Sequence, residues 1–323
     1  MSEISRILAA LDAAPGQPAA LATLVQVEGS SYRRPGARLL LLPDGTSLGS
    51  ISGGCLEEDV RARAAAVLAS GQPTCVTYDT TAENDLVWGT GLGCQGVVRV
   101  LIERLPAPRP AWVDALRANL AARHDTTLIV GPDGTRLADA TAPAAGDFVE
   151  NLPAPPALLI CGAGDDAQPL ARLAHELGWT VTVADARPAY VTAERFPTAQ
   201  ARLCAPLDTL VADLPVDART LAVVMSHRFA DDRAFLHALL PQPLVYLGQL
   251  GPRSRTDRLL AELAADGFTP DAAALARLHA PVGLDLGGAT PETVALAILA
   301  EMQATLAGRT PVSLRDRPGP IHG

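Results

Sequence analysis

The chain has 323 residues, 48% of them hydrophobic and 19% charged, which at about 100–200 residues per domain leaves room for two ordinary cores. Its 26 basic and 35 acidic residues give a formal net charge of −9, so there is no basic surface to neutralise the phosphates of a duplex, and nucleic acid is excluded as an expected partner. Every basic residue is an arginine, and the absence of lysine excludes Schiff-base chemistry, pyridoxal-phosphate enzymes and a Walker A phosphate loop.

Residues 1–6 carry no basic region ahead of an apolar run, and no later stretch of about 18 apolar residues is free of charge. A soluble cytoplasmic protein with no membrane partner is expected. The five cysteines, Cys55, Cys75, Cys94, Cys161 and Cys204, are odd in number and never spaced as Cys-x-x-Cys. That pattern argues against a disulfide framework or a zinc ribbon and for reduced thiols.

In chain order, short apolar runs punctuated by glycine turns come first: 21–27, 37–42, a Pro43-Asp44-Gly45 turn, 48–52, 75–78 and 97–102. Between them Leu56, Val60, Ala64, Val67 and Leu68 recur at helical spacing. These elements predict a small α+β domain over residues 1–137. Residues 138–156, rich in Ala and Pro and without periodicity, read as a linker. From 157 to 323 apolar strands (157–161, 180–184, 221–225, 244–247) alternate with helical stretches, one running through Leu177, one near 231–240 and one over 291–306. The fold class expected is therefore α/β, a C-terminal Rossmann-like parallel sheet following the smaller α+β domain.

Three stretches carry chemistry. In the first domain, Gly29-Ser30-Ser31-Tyr32-Arg33-Arg34-Pro35-Gly36 sets Arg33 and Arg34 in a hydroxyl-rich turn suited to a phosphate or a pterin, the alternative being a solvated loop. Cys55 follows Gly53 and Gly54 where a strand gives way to a helix, so a backbone anion nest and a helix N-terminus would favour its thiolate. Cys94 lies in Gly89-Thr90-Gly91-Leu92-Gly93-Cys94-Gln95-Gly96, a loop able to wrap a cofactor. For both, an inert buried cysteine is the competing interpretation; Cys75 and Cys161, inside apolar runs, are expected in the core.

In the second domain, Cys161-Gly162-Ala163-Gly164-Asp165-Asp166-Ala167 gives a Gly-x-Gly-x-x-Ala turn between strand and helix, with Gly162 permitting the turn and Gly164 the approach of a pyrophosphate. Asp185, 23 residues after Gly162, is placed to reach ribose hydroxyls. Asp165 and Asp166 complement the helix dipole but repel a pyrophosphate aimed at the same amides. His227 follows a strand at the edge where α/β sheets collect ligands, and His279 precedes a glycine-rich turn; a structural role competes for each.

The segments GSSYRRPGARLLL, GSISGGCLEEDV and GLGCQGVVRVLIE, followed in order by LLICGAG, VVMSHRFADDRAFL, VYLGQLGPRSR and HAPVGLDLGGATPETVALAILAEM, resemble the XdhC/CoxI family over nearly the whole chain. The resemblance implies an accessory factor for molybdenum hydroxylases of the xanthine dehydrogenase, aldehyde oxidase or carbon monoxide dehydrogenase type. Such a factor binds molybdenum cofactor (molybdopterin), protects it while a cysteine desulfurase supplies the terminal sulfur, and delivers it to the apo molybdenum hydroxylase. It implies a homodimer and a chaperone without turnover of its own. Cys55, with the glycines before it, matches the family's thiol segment, as a molybdenum ligand or a sulfur relay, and Cys94 matches the thiol of the later loop. The chain departs from the family pattern at Asp165 and Asp166, where His-Val is common, at Arg228, where Asp or Asn is common, and at Gln95 in place of glycine. The competing functions are an NAD(P)-dependent oxidoreductase built on the Rossmann domain and a protein-interaction scaffold.

Overall fold

The computed structural model describes residues 3–79, 96–138 and 142–318. The chain forms two compact units that divide between Ala154 and Pro155. In chain order the first contains α1 (Glu3–Ala13), β1 (Ala19–Gly29), β2 (Arg38–Leu41), β3 (Ser47–Gly49), α2 (Glu57–Ser70), β4 (Thr74–Asp79), β5 (Gly96–Leu105), α3 (Ala111–Ala122), β6 (Thr126–Gly131), β7 (Gly134–Leu137) and β8 (Phe148–Leu152). Five of its strands make an antiparallel sheet in the order β3-β2-β1-β5-β4, and three make a second sheet in the order β7-β6-β8.

The two-residue period of β1 sorts its side chains between two cores. Ala20, Ala22 and Leu24 pack with Val60, Ala64 and Val67 of α2, whereas Ala19 and Leu21 join Ile7 and Leu11 of α1 and Trp112 and Leu116 of α3. Helix α2 covers the expected 56–68 periodicity and ends at Gly71, whose left-handed backbone (φ 74°) lets its N–H close on Val67 O. Strand β4 lies at the sheet edge, and Cys75 on it is exposed, which corrects its expected place in the core.

Residues 138–156 are not a plain linker, because they contain β8, paired antiparallel with β6 from Phe148↔Val130 to Leu152↔Thr126. The alternation was hidden because one of its inward positions is Glu150, whose carboxylate pairs with the buried guanidinium of Arg38. An ion pair stands where a sequence pattern looks for an apolar residue.

The second unit contains β9 (Ala157–Cys161), α4 (Ala167–Glu176), β10 (Thr180–Ala184), β11 (Ala201–Leu203), α5 (Leu207–Ala212), β12 (Thr220–Val224), α6 (Phe229–Leu239), β13 (Tyr246–Gln249), α7 (Arg253–Ala265), α8 (Ala272–Ala276), β14 (Leu278–His279) and α9 (Pro291–Leu306). Its six strands are all parallel, in the order β11-β10-β9-β12-β13-β14. This is the doubly wound arrangement in which the order reverses between the first and fourth strands, here β9 and β12. Leu158 and Ile160 face a core with Leu170 and Ala174 of α4 and Ile298 and Met302 of α9; Leu159 and Cys161 face the other, with Phe235 and Leu239 of α6 and Leu259 of α7. Helices on both faces explain why these strands read as unbroken apolar runs. Among the described residues no helix is long and apolar enough to cross a membrane.

Candidate functional site

In the first unit the turn after β1 lies beside the first residue of β5 and beside the loop that leads to Cys55. Strand β1 ends at Gly29, which pairs with Gly96, the first residue of β5, and a Cβ at Gly96 would collide with Ser30 N and the carbonyl oxygens of Glu28 and Ser30. The turn that follows β1 brings the Tyr32 ring 3.7 Å from where a Cβ of Gly53 would stand, although Tyr32 itself is 75% exposed. Cys94, two residues before Gly96, lies outside the described residues.

The loop between β3 and α2 is organised by one carboxylate. Glu57 Oε1 accepts from Ser50 Oγ at 2.8 Å, Ser52 N at 3.0 Å and Ile51 N at 3.2 Å, and Oε2 accepts from Ser52 Oγ. Ser52 Oγ in turn accepts from Gly54 N at 3.2 Å and Leu56 N at 3.1 Å. Burial pushes the Glu57 carboxyl up, but the Ser52 and Ser50 hydroxyls and the backbone N–H groups outweigh it and hold the group below its ordinary range. This hydrogen-bonding is why the predicted strand over 48–52 stops at Gly49. Gly54, with φ 111° and open space beside it, turns the chain into Cys55, which is half-buried against the α2 core.

The acids Glu57, Glu58 and Asp59 fill the first turn of α2, so the positive end of the helix is offset where Cys55 sits. Arg33 is committed to Glu3 at 2.6 Å, and Arg34 is exposed in the turn. Among the described residues no three His, Cys, Asp or Glu side chains come close enough to hold a metal ion.

In the second unit the glycine turn follows β9 at the strand-order reversal. Gly162 has φ 116°, and a Cβ on it would lie 2.5 Å from Ser226 N, so the residue must be glycine both for its backbone and for the close approach of the β12 loop. Asp185 is 2% exposed and already engaged within the unit: Oδ2 accepts from Ala163 N at 2.7 Å, and Arg187 closes on both oxygens at 2.6 and 2.9 Å. Burial raises this carboxyl, yet Arg187 and the two backbone N–H groups bring it below the ordinary value. The Arg187 guanidinium lies 4.0 Å from the Tyr190 ring centroid.

The acids of the turn are also engaged. Asp165 pairs with Arg195 at 2.9 Å, and Arg195 donates to Ala163 O at 3.1 Å. Asp166 meets His227 Nε2 at 2.7 Å. His227 therefore sits where the sequence placed it, at the carboxyl edge, with a left-handed backbone of φ 61°. Below it, buried Asp232 accepts from Ser226 N at 3.1 Å, from Arg255 at 2.6 and 3.1 Å, and from Gln249 Nε2 at 3.3 Å, which pins the loop after β12. Cys161 beneath the turn is fully buried, and burial, with Asp232 and Asp185 nearby, pushes its thiol far up; it is the inert core cysteine expected.

Sequence reasoning missed the roles of Glu57, Arg195 and the Asp232 network. Ser52 and Glu57 are five residues apart, which does not match the three-residue spacing of a capping box, so no motif announced the pair. Asp232 lay in a run that reads as an ordinary amphipathic helix.

A parallel sheet with the dinucleotide-type reversal, preceded by an α+β unit that presents a glycine-flanked cysteine, defines a Rossmann-containing two-unit protein. Residues 13–79 match the XdhC and CoxI family, and residues 158–302 match the XdhC Rossmann domain. The chain is 32% identical over 317 residues to a probable xanthine dehydrogenase subunit of Bacillus subtilis, covering 90% of this chain and 93% of that one. It is 26% identical over 294 residues to the molybdenum cofactor insertion chaperone PaoD of Escherichia coli, covering 89% and 83%. A crystal structure described as a xanthine dehydrogenase from Bacillus halodurans superposes with a TM-score of 0.82 at 30% identity, covering 98% of both chains. The chain belongs to the XdhC and CoxI family.

Proposed function

We propose that this chain is a maturation factor for a molybdenum hydroxylase: it binds molybdenum cofactor as cargo, holds it while a cysteine desulfurase supplies the terminal sulfur, and inserts it into the apoenzyme. The observation that carries this is likeness over almost the full length to a protein named as a molybdenum cofactor insertion chaperone and to one named as a probable subunit of xanthine dehydrogenase. The nearness of the Tyr32 turn to the Cys55 loop and to the start of β5 supports siting the cargo there. Cys55 is the soft donor there, suited to molybdenum or to sulfur relay, and Glu57 fixes the loop that presents it. Arg34 is the cation of that turn for a pterin phosphate. The working protein is a cytoplasmic homodimer with no turnover of its own, and its two units correspond to a loading and a Rossmann domain.

The strand order of the second unit also suits an NAD(P)-dependent oxidoreductase. Against that function, Asp185 is occupied by Arg187 and the turn carries two acids. The deciding experiment measures molybdopterin and molybdenum retained by wild type and Cys55→Ala after anaerobic incubation with the cofactor, with NADH titrated in parallel. Stoichiometric cofactor on wild type, lost in Cys55→Ala, is expected. A wild type that retains no cofactor and binds NADH tightly would sink the proposal.

A further inference from the structure

A dinucleotide bound to this kind of sheet lays its pyrophosphate across the crevice at the strand-order reversal, over the second glycine of the turn and against the helix N-terminus. In this chain that space is bridged from both sides. Asp166 comes from the turn between β9 and α4 and His227 from the loop after β12, and they meet at 2.7 Å through Oδ2 and Nε2. The other oxygen, Asp166 Oδ1, is buried without a hydrogen-bond partner among the described residues and lies 2.7 Å from where a Cβ of Gly164 would stand. A carboxylate thus covers the glycine whose missing side chain admits a pyrophosphate. His227 has a left-handed backbone of φ 61°, and its Cδ2 lies 3.5 Å from where a Cβ of Gly164 would stand.

We propose that Asp166 and His227 form a latch across this crevice that excludes pyrophosphate-bridged dinucleotides from the Rossmann unit. Two effects act together. The carboxylate stands where a diphosphate would arrive and repels it, and its hydrogen bond to His227 holds the two loops together. Asp165, tied to Arg195, keeps the rest of the turn in place when the latch is removed. Taking away the Asp166 side chain exposes backbone N–H groups at the start of α4, which favour anions. The inference concerns only the second unit and does not depend on what cargo the first one carries.

The test is calorimetric titration of NADH into the full-length protein as wild type, Asp166→Ala and Asp166→Asn, with circular dichroism melting as the check on folding. Wild type is expected to show no saturable binding, and Asp166→Ala to gain affinity by at least about tenfold. Asp166→Asn is expected to gain less, because its amide still reaches His227. A folded Asp166→Ala that gains nothing overturns the latch, as does a wild type that binds NADH equally well. Equal gains in the two variants would leave charge repulsion alone and overturn the bridging role of His227. Should Asp166→Ala not fold, His227→Gly, which relieves the left-handed backbone and frees Asp166, is expected to raise NADH affinity, and no gain there has the same consequence.

Discussion

Four hydrogen bonds converge on the Glu57 carboxylate from residues 50–52 and tie the loop before Cys55 to the start of α2. Removing such an acceptor leaves several donors unpaired, and Glu57→Ala is expected to cost about 2–3 kcal/mol, read as a lower melting temperature in calorimetry. The pH dependence follows from the sign. Glu57 and Asp185 both have folded pKa values held below their ordinary ones, so their stabilisation is complete above about pH 4.5 and is lost as pH falls through the folded values. Glu57→Gln is expected to flatten that acid-side loss, measured as melting temperature from pH 6 downward in steps of about half a unit. An unchanged slope would contradict the role given to Glu57. The turn at Gly53 and Gly54 before Cys55 was legible because consecutive glycines separate a short apolar run from a helical periodicity. Glu57 was not, because a helix-start glutamate reads as a solvated acid until the loop folds onto it.

At the scale of elements, two loops depend on close backbone approach and on one buried acid. Gly162→Ala forces a Cβ against Ser226 N in a backbone that glycine alone adopts freely, and is expected to destabilise by at least about 2 kcal/mol. Gly54→Ala meets no atom within 4 Å and carries only the backbone cost, about 1–2 kcal/mol. The contrast between the two, measured by chemical denaturation, separates crowding from conformation. Asp232→Ala leaves Arg255 and Gln249 without their buried partner and is expected to cost about 3–5 kcal/mol. The strand–turn–helix around Gly162 was legible because periodicity and glycine position agree there. Strand β8 was hidden because Glu150 pairs with buried Arg38, and the exposed face of Cys75 was hidden because β4 is an edge strand, a property of sheet order that local sequence does not carry.

Over the whole molecule, the first unit has two sheets and the second one, and each unit has its own pair of cores, which is what independent folding requires. Expression of residues 155–318 alone is expected to give a cooperative thermal transition by circular dichroism; a non-cooperative one would show that the second unit needs the first. The overall α/β class and the parallel sheet were readable from the alternation of apolar runs with helical stretches, while the three-stranded sheet β7-β6-β8 was not, since its strands are short and its inward positions partly charged. The central claim, that the chain loads molybdenum cofactor into a hydroxylase, is tested most directly by reconstitution. Purified apo-hydroxylase is incubated with the same amount of sulfurated cofactor free, carried on wild type, or offered with Cys55→Ala, and the rise of hydroxylase activity is followed. The account predicts faster and more complete activation with wild type than with free cofactor and no advantage from Cys55→Ala. Equal activation in all three would contradict it.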